Sequence, residues 1–164
     1  MEQLIKPSGA MDVEAVTLAS RPSLEDFPPL YQQNTAARKA VEKRAMQVAV
    51  DHLREKWMVV MDVSATESFD ILCRSGEEIL HVEVKGTTSD GATVILTRNE
   101  VLHARSQHPR VALYVVSEID IELSKTDFVA SGGLLTRYEP WAIDDFPLLP
   151  VSFQYCLKSS PSHG

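Results

Sequence analysis

The period of the hydrophobic positions changes several times along the chain. From Ala36 to Lys56 the sequence is rich in Ala, Glu, Lys, Arg and Met and holds no Gly or Pro, which predicts a helix. On a wheel centred on Val41, turning by about 100° per residue, Ala37, Ala45, Val48, Ala49, His52 and Leu53 form an apolar stripe. Glu42 falls in the arc between Ala49 and Leu53, while Lys39, Lys43, Arg54 and Glu55 fall outside it. A carboxylate on a buried arc is costly without a partner, so Glu42 is a candidate for chemistry. Short β-like runs follow at Trp57 to Val63, Phe69 to Arg74 and Ile79 to Lys85. The last two are joined by Ser75-Gly76-Glu77-Glu78, a hairpin turn. Thr93 to Leu96 predicts a further strand. Thr97-Arg98-Asn99-Glu100 has the form of a capping box and opens a helix that Pro109 ends. Val111 to Val116, almost wholly apolar, predicts a buried strand.

Three segments follow from this pattern. Residues 1–35, interrupted by Pro7, Pro22, Pro28 and Pro29, read as a lead-in or tether with a short helix near Asp12 to Leu18. Residues 36–117 form the core. Residues 118–164 read as an acidic extension packing on it through Trp141, Phe146, Phe153 and Tyr155, with Gly132-Gly133 as a turn and Val151 to Leu157 as a last strand. The sequence has 164 residues, one domain's worth, and a net charge of −7. That acidity argues against a uniformly basic nucleic-acid surface, but its distribution softens the point. Ala36 to Ser117 carries 11 basic and 11 acidic residues, so the whole deficit lies in the flanks. No apolar stretch is long enough to cross a membrane, and the amino terminus has no apolar block of a secretory signal. Cys73 and Cys156 lack CxxC spacing. A reduced, cytoplasmic protein is expected.

The third β-like run carries the candidate chemistry. Side chains alternate faces in a strand, so Ile79, His81, Glu83 and Lys85 share one face, and Leu80, Val82 and Val84 the other. A hairpin centred between Gly76 and Glu77 sets Asp70 opposite Glu83 and Leu72 opposite His81, with Cβ atoms about 4.5–5.5 Å apart in such pairs. Two carboxylates that close repel unless a cation, a shared proton or a lysine lies between them. Asp70, Glu83 and a main-chain carbonyl offer the hard oxygen ligands that Mg²⁺ prefers, with Mn²⁺ as its substitute. Lys85 then stands beside the metal, where an ammonium can orient water or offset charge on a phosphate. Metal-assisted phosphodiester hydrolysis uses these parts.

The order helix glutamate, aspartate and Glu-x-Lys resembles the PD-(D/E)xK nuclease superfamily in its Holliday-junction-resolvase and Mrr-like branch. Glu42 matches the helix glutamate, Asp70 the aspartate, and Glu83-Val84-Lys85 the ExK. Phe69 stands where many members have proline. More closely, Asp70-Ile71, Val82 to Thr87 and Leu96 to Glu100 resemble the domain of unknown function named after the carboxy-terminal region of the plant protein NO VEIN. The resemblance implies an α/β, restriction-endonuclease-like core, a mixed central β-sheet flanked by α-helices. It implies a Mg²⁺-dependent nuclease with DNA as the expected substrate, in bacteria often accompanying restriction or phage defence. It implies Asp70, Glu83 and the Val84 carbonyl as metal ligands, with Lys85 and Glu42 as catalytic residues. Members can also lose catalysis and keep the fold, so an inactive nuclease-fold interaction module is the alternative.

Other candidates carry weaker signals. Lys39, Lys43, Arg44, Arg98 and Arg105 are candidate phosphate contacts, each equally readable as a solvated charge. Glu100 reads first as the capping-box acid. His81 reads as a packing residue, and His103 and His108 as surface histidines near a helix end. The acidic flanks are candidate docking segments for a partner protein, and a homodimer is expected if two strands are cut. No phosphate-binding glycine loop and no zinc pattern is present.

Overall fold

The structure is a computed structural model and describes residues 35–124 and 127–152. Its first helix, α1 (Thr35–Arg54), buries Ala37, Val41, Ala45, Ala49 and Leu53. These are spaced by four residues, so the buried line drifts by about 40° per step around the axis. Three strands follow: β1 (Val59–Asp62), β2 (Ile71–Ser75) and β3 (Glu78–Gly86). The second helix, α2 (Arg98–Gln107), leads into β4 (Val111–Ser124), which pairs with β5 (Asp127–Tyr138). A short 3₁₀ turn, Ile143–Asp145, closes the described chain.

The sheet is mixed, in the order β1-β2-β3-β4-β5. All neighbours are antiparallel except β3 and β4, which run parallel because α2 carries the chain back across the sheet. β4 is covered on both faces, which explains its unbroken apolar run. Ala112 and Tyr114 join Ala49, Leu53, Leu80 and Val82 under α1. Val111, Leu113 and Val115 join Ala104 of α2 with Trp141 and Ile143 on the other face. The two helices therefore lie on opposite sides of the sheet.

Gly86, the last residue of β3, lies tightly against α1. A Cβ there would stand 2.7 Å from the Ala45 Cβ and 3.1 Å from the Val41 carbonyl oxygen. Gly86→Ala is expected to push α1 off the sheet and destabilise the protein by about 1–3 kcal/mol, the usual cost of overpacking. Chemical denaturation of the variant checks this, and an unchanged midpoint would refute the close packing.

The structure departs from the sequence pattern at four places. Thr93 to Leu96 has no ladder partner; it is extended chain, with Val94 and Leu96 packed on the α2-side core. The division after residue 117 falls inside β4, and residues 127–138 are the fifth strand rather than an appended segment. Gly132-Gly133 is not the turn, since the chain reverses between Ser124 and Asp127. Glu118 (φ 54°), Gly132 (66°) and Gly133 (101°) adopt left-handed backbone where the two strands face each other. There the facing alternation slips by one residue. Val116 before it and Ile119 after it both pack against Val41 and Ala45, so the apolar side stays on α1. Trp141 is buried as expected, but Phe146 is exposed and meets Tyr138 edge-on. The helix expected near residues 12–18, and residues 153–157 of the expected last strand, lie outside the described residues; 151–152 carry no regular structure.

Candidate functional site

The turn at Ser75 to Glu78 sets the register that builds the site. Ile71 faces Val82, Leu72 faces His81 and Ser75 faces Glu78. Asp70 lies just before β2. Its N–H donates to the Val82 carbonyl at 3.1 Å, and its Oδ2 accepts the Val84 N–H at 2.8 Å. Its side chain thus replaces the ladder bond that a longer β2 would have made.

Glu83 pairs with Leu113 of β4, and Lys85 with Val115, so both lie on the α2 side of the sheet. Glu83 is only 3% exposed. Lys85 Nζ stands 2.7 Å from Glu83 Oε1 and 2.9 Å from Glu100 Oε2. Glu100 is fixed in turn by the capping box: its Oε2 accepts the Thr97 N–H at 2.9 Å, and its own N–H donates to Thr97 Oγ1. The sequence placed Glu100 in a cap. The fold adds that this cap sits over the end of β3 and holds the lysine.

The protonation of the cluster follows from burial. Burial pushes Glu83 up to about 8, more than the adjacent Lys85 offsets. Asp70 is also raised by burial, against the pull of the Val84 N–H and Lys85. Burial works against the charge on Lys85, but Glu83 and Glu100 outweigh it and hold the ammonium protonated. Glu100 goes the other way: burial is outweighed by Lys85 and the Thr97 N–H, and its carboxyl lies below the ordinary value. Glu83 and Glu100 share the Lys85 ammonium, and the Asp70 carboxyl beside them is held by the Val84 N–H. Among the described residues no group of three or more His, Cys, Asp or Glu side chains is arranged to hold a metal ion.

A second group lies beside it. Phe69, His81 and His103 form a mutual ring stack, with Phe69 4.2 Å from His81 and 4.7 Å from His103 by ring centroids. His81 Nδ1 and His103 Nε2 are 3.0 Å apart and share a hydrogen bond, and His103 Nδ1 meets Ser68 Oγ at 3.3 Å. His103 is therefore half-buried beside the cluster rather than a surface histidine, because three residues along α2 from Glu100 lies the same helix face. Burial lowers both histidines, and their neighbourhood adds to this at His81. Their folded values lie below the ordinary 6.5, so the stability they contribute is complete above that pH and is lost as pH falls through the folded values. His103→Phe is expected to flatten the acid limb, by one proton at most. Denaturant midpoints measured between pH 6.5 and 5 check this, wild type against variant, and equal slopes would refute it.

Other candidates fall elsewhere. Glu42 is exposed, its side chain 62% accessible, and pairs with Arg38 at 3.4 Å. It lies on α1, across the sheet from Glu83 and Lys85, so the structure does not bring it into the cluster. Its azimuth matches that of Leu53, but the buried line has drifted away from that azimuth by the level of residue 42. Lys39 and Lys43 are exposed on the same helix, and Arg44 Nε donates to the Gly132 carbonyl at 2.9 Å. Arg105 is held by Asp144 at 2.6 Å. Arg98 is exposed at the start of α2, two residues from Glu100. No helix among the described residues is long and apolar enough to cross a membrane.

A family model described as "Protein NO VEIN, C-terminal" matches residues 41–128, more than half of the chain. The matched span runs from α1 to the start of β5 and includes Asp70, Glu83, Lys85, Glu100 and His103. No curated protein and no solved structure matches the chain.

Proposed function

The chain belongs to the NO VEIN C-terminal family, and from that premise we propose that it is a Mg²⁺-dependent nuclease of restriction-endonuclease-like fold, hydrolysing phosphodiester bonds in DNA. The observation that carries this reading is the clustering of Asp70, Glu83, Lys85 and Glu100 at the end of β3. Asp70, Glu83 and the Val84 carbonyl would hold the cation. The N–H and C=O of a strand residue point to the same edge, so the Val84 carbonyl lies on the side where Asp70 takes the Val84 N–H. Bound there, Mg²⁺ would polarise the phosphate and lower the pKa of a water.

The chain's own residues do the rest. Lys85 has two carboxylate acceptors, so it keeps Glu100 when Glu83 turns to a cation. Its ammonium then orients the attacking water and offsets the charge that builds on the phosphate. Glu100 is a positioning residue: it acts through Lys85 and is itself fixed by Thr97. Arg98, exposed on the same helix end, is the basic residue best placed to meet a neighbouring phosphate. Glu42 has no part in this scheme.

A second reading, an inactive nuclease-fold interaction module, is favoured by one observation. Lys85 already bridges Glu83 and Glu100, which balances buried charge without a metal. Incubation with duplex, branched and single-stranded DNA, with Mg²⁺ or Mn²⁺ and with chelator, separates the two. Cleavage that needs metal supports the nuclease, and intact DNA of every form supports the module.

A further inference from the structure

The sheet has two edges among the described residues, and they differ in kind. β1 is four residues long and ends in Asp62. β5 is twelve residues long, contains no Lys and no Pro, and carries charge only near its ends, at Asp127 and Arg137. Soluble proteins guard long edges with lysine, proline or short strands, because an open row of N–H and C=O groups pairs with any similar strand. Among the described residues nothing pairs with the outer edge of β5. The face of β5 turned away from α1 also exposes Val129 (53%) and Leu134 (58%).

The slip in alternation at Gly132-Gly133 selects the partner. Phe128 and Ala130 are half-buried before it and Leu135 after it, with Ala130 and Leu135 packed on the α1-side core. The opposite face therefore carries Asp127, Val129 and Ser131, then Leu134, Thr136 and Tyr138. In a two-fold antiparallel pair of identical strands, opposed residues must share a face. An unbroken strand meets this only with some residue opposite its own copy. Across the slip the rule is met by the register centred between Gly132 and Gly133. Asp127 then opposes Tyr138, Val129 opposes Thr136, Ser131 opposes Leu134, Phe128 opposes Arg137 and Ala130 opposes Leu135. No like charges meet, and at the axis the two chains present only glycines.

We propose that the outer edge of β5 is a homodimer interface, in which a second copy of this chain continues the sheet in that register. This is independent of the metal chemistry above, and its test reads mass rather than activity. Val129 and Thr136 are exposed, and within one chain they face Glu122 and Val115. Lysine at both sites therefore leaves the fold intact, while in the dimer it opposes two lysines twice. Sedimentation velocity of the full chain over a wide range of concentration is expected to show a dimer for wild type. For Val129→Lys/Thr136→Lys it is expected to show a dissociation constant weakened about tenfold or more. Val129→Lys/Thr136→Glu, which opposes unlike charges, is expected to restore the dimer. Should the double-lysine variant fail to fold, amide exchange of wild type decides: the dimer slows exchange along β5 as concentration rises. A wild-type monomer throughout overturns the proposal, including the case in which another part of the chain lies along this edge. A dimer unaffected by the two lysines also overturns it.

Discussion

Lys85→Met is expected to lower metal-dependent DNA cleavage by about 10²–10³-fold, the usual cost of removing one group that stabilises developing charge. That corresponds to about 2.7–4 kcal/mol of transition-state stabilisation. The substitution keeps the aliphatic stem and removes the ammonium that Glu83 and Glu100 share at 2.7 and 2.9 Å. The protein should survive it. Glu83 is already pushed up to about 8, so at neutral pH it keeps a proton once its counterion is gone, and Glu100 retains the Thr97 N–H. Circular dichroism and the unfolding midpoint should stay close to wild type while single-turnover cleavage collapses. Wild-type cleavage in this variant would remove Lys85 from the chemistry and place the reaction outside this cluster. Glu100→Gln should give a milder loss. Its amide oxygen can still accept from Lys85 and from the Thr97 N–H, and only the charge on the lysine's second partner disappears.

The parts of this site differ in how far sequence could reveal them. The Ser75-Gly76-Glu77-Glu78 turn fixed the pairing of β2 with β3, because a one-residue slip would have turned Leu80 and Val82 out of the core. The capping box was legible for a similar reason: Thr97 and Glu100 satisfy each other's backbone donors within one turn. That Glu100 then reaches Lys85 was not legible, since it depends on where α2 crosses the sheet. Glu42 was misplaced because a wheel treats the buried arc as fixed, whereas a line of residues spaced by four winds around the helix as it crosses the strands. Gly132-Gly133 misled through its composition. Glycine pairs mark turns, yet here the left-handed backbone serves a slip inside a long hairpin. A signal against the turn was present. Ile119, Ile121 and Leu123 alternate with Glu118, Asp120 and Glu122, a strand pattern that the acidity of the segment obscured.

Mn²⁺ is expected to raise the unfolding temperature of wild type by about 10 °C at a hundredfold excess over its dissociation constant. Such an excess stabilises the native state by about 2.7 kcal/mol, and each kcal/mol moves a domain of this size by roughly 3–5 °C. Asp70→Asn/Glu83→Gln should show no shift, because amides cannot supply the charge that the cation replaces. The metal-free protein supplies a second, independent check through pH. The Glu83 carboxyl is raised from 4.5 to about 8 on folding, so the native state binds the extra proton between those values. Stability from this group is therefore complete below pH 4.5 and is lost as pH rises through about 8. Glu83→Gln should remove that decline, and denaturant midpoints of the two proteins should converge at acid pH and separate towards pH 8, the variant the more stable. A cation that binds Glu83 must displace this proton, so the Mn²⁺ shift at fixed metal should grow with pH until about 8 and then level off. A Mn²⁺ shift indifferent to pH would place the metal elsewhere. No shift at any pH would leave Lys85 as the counterion these carboxylates have among the described residues, and the interaction module as the function that fits.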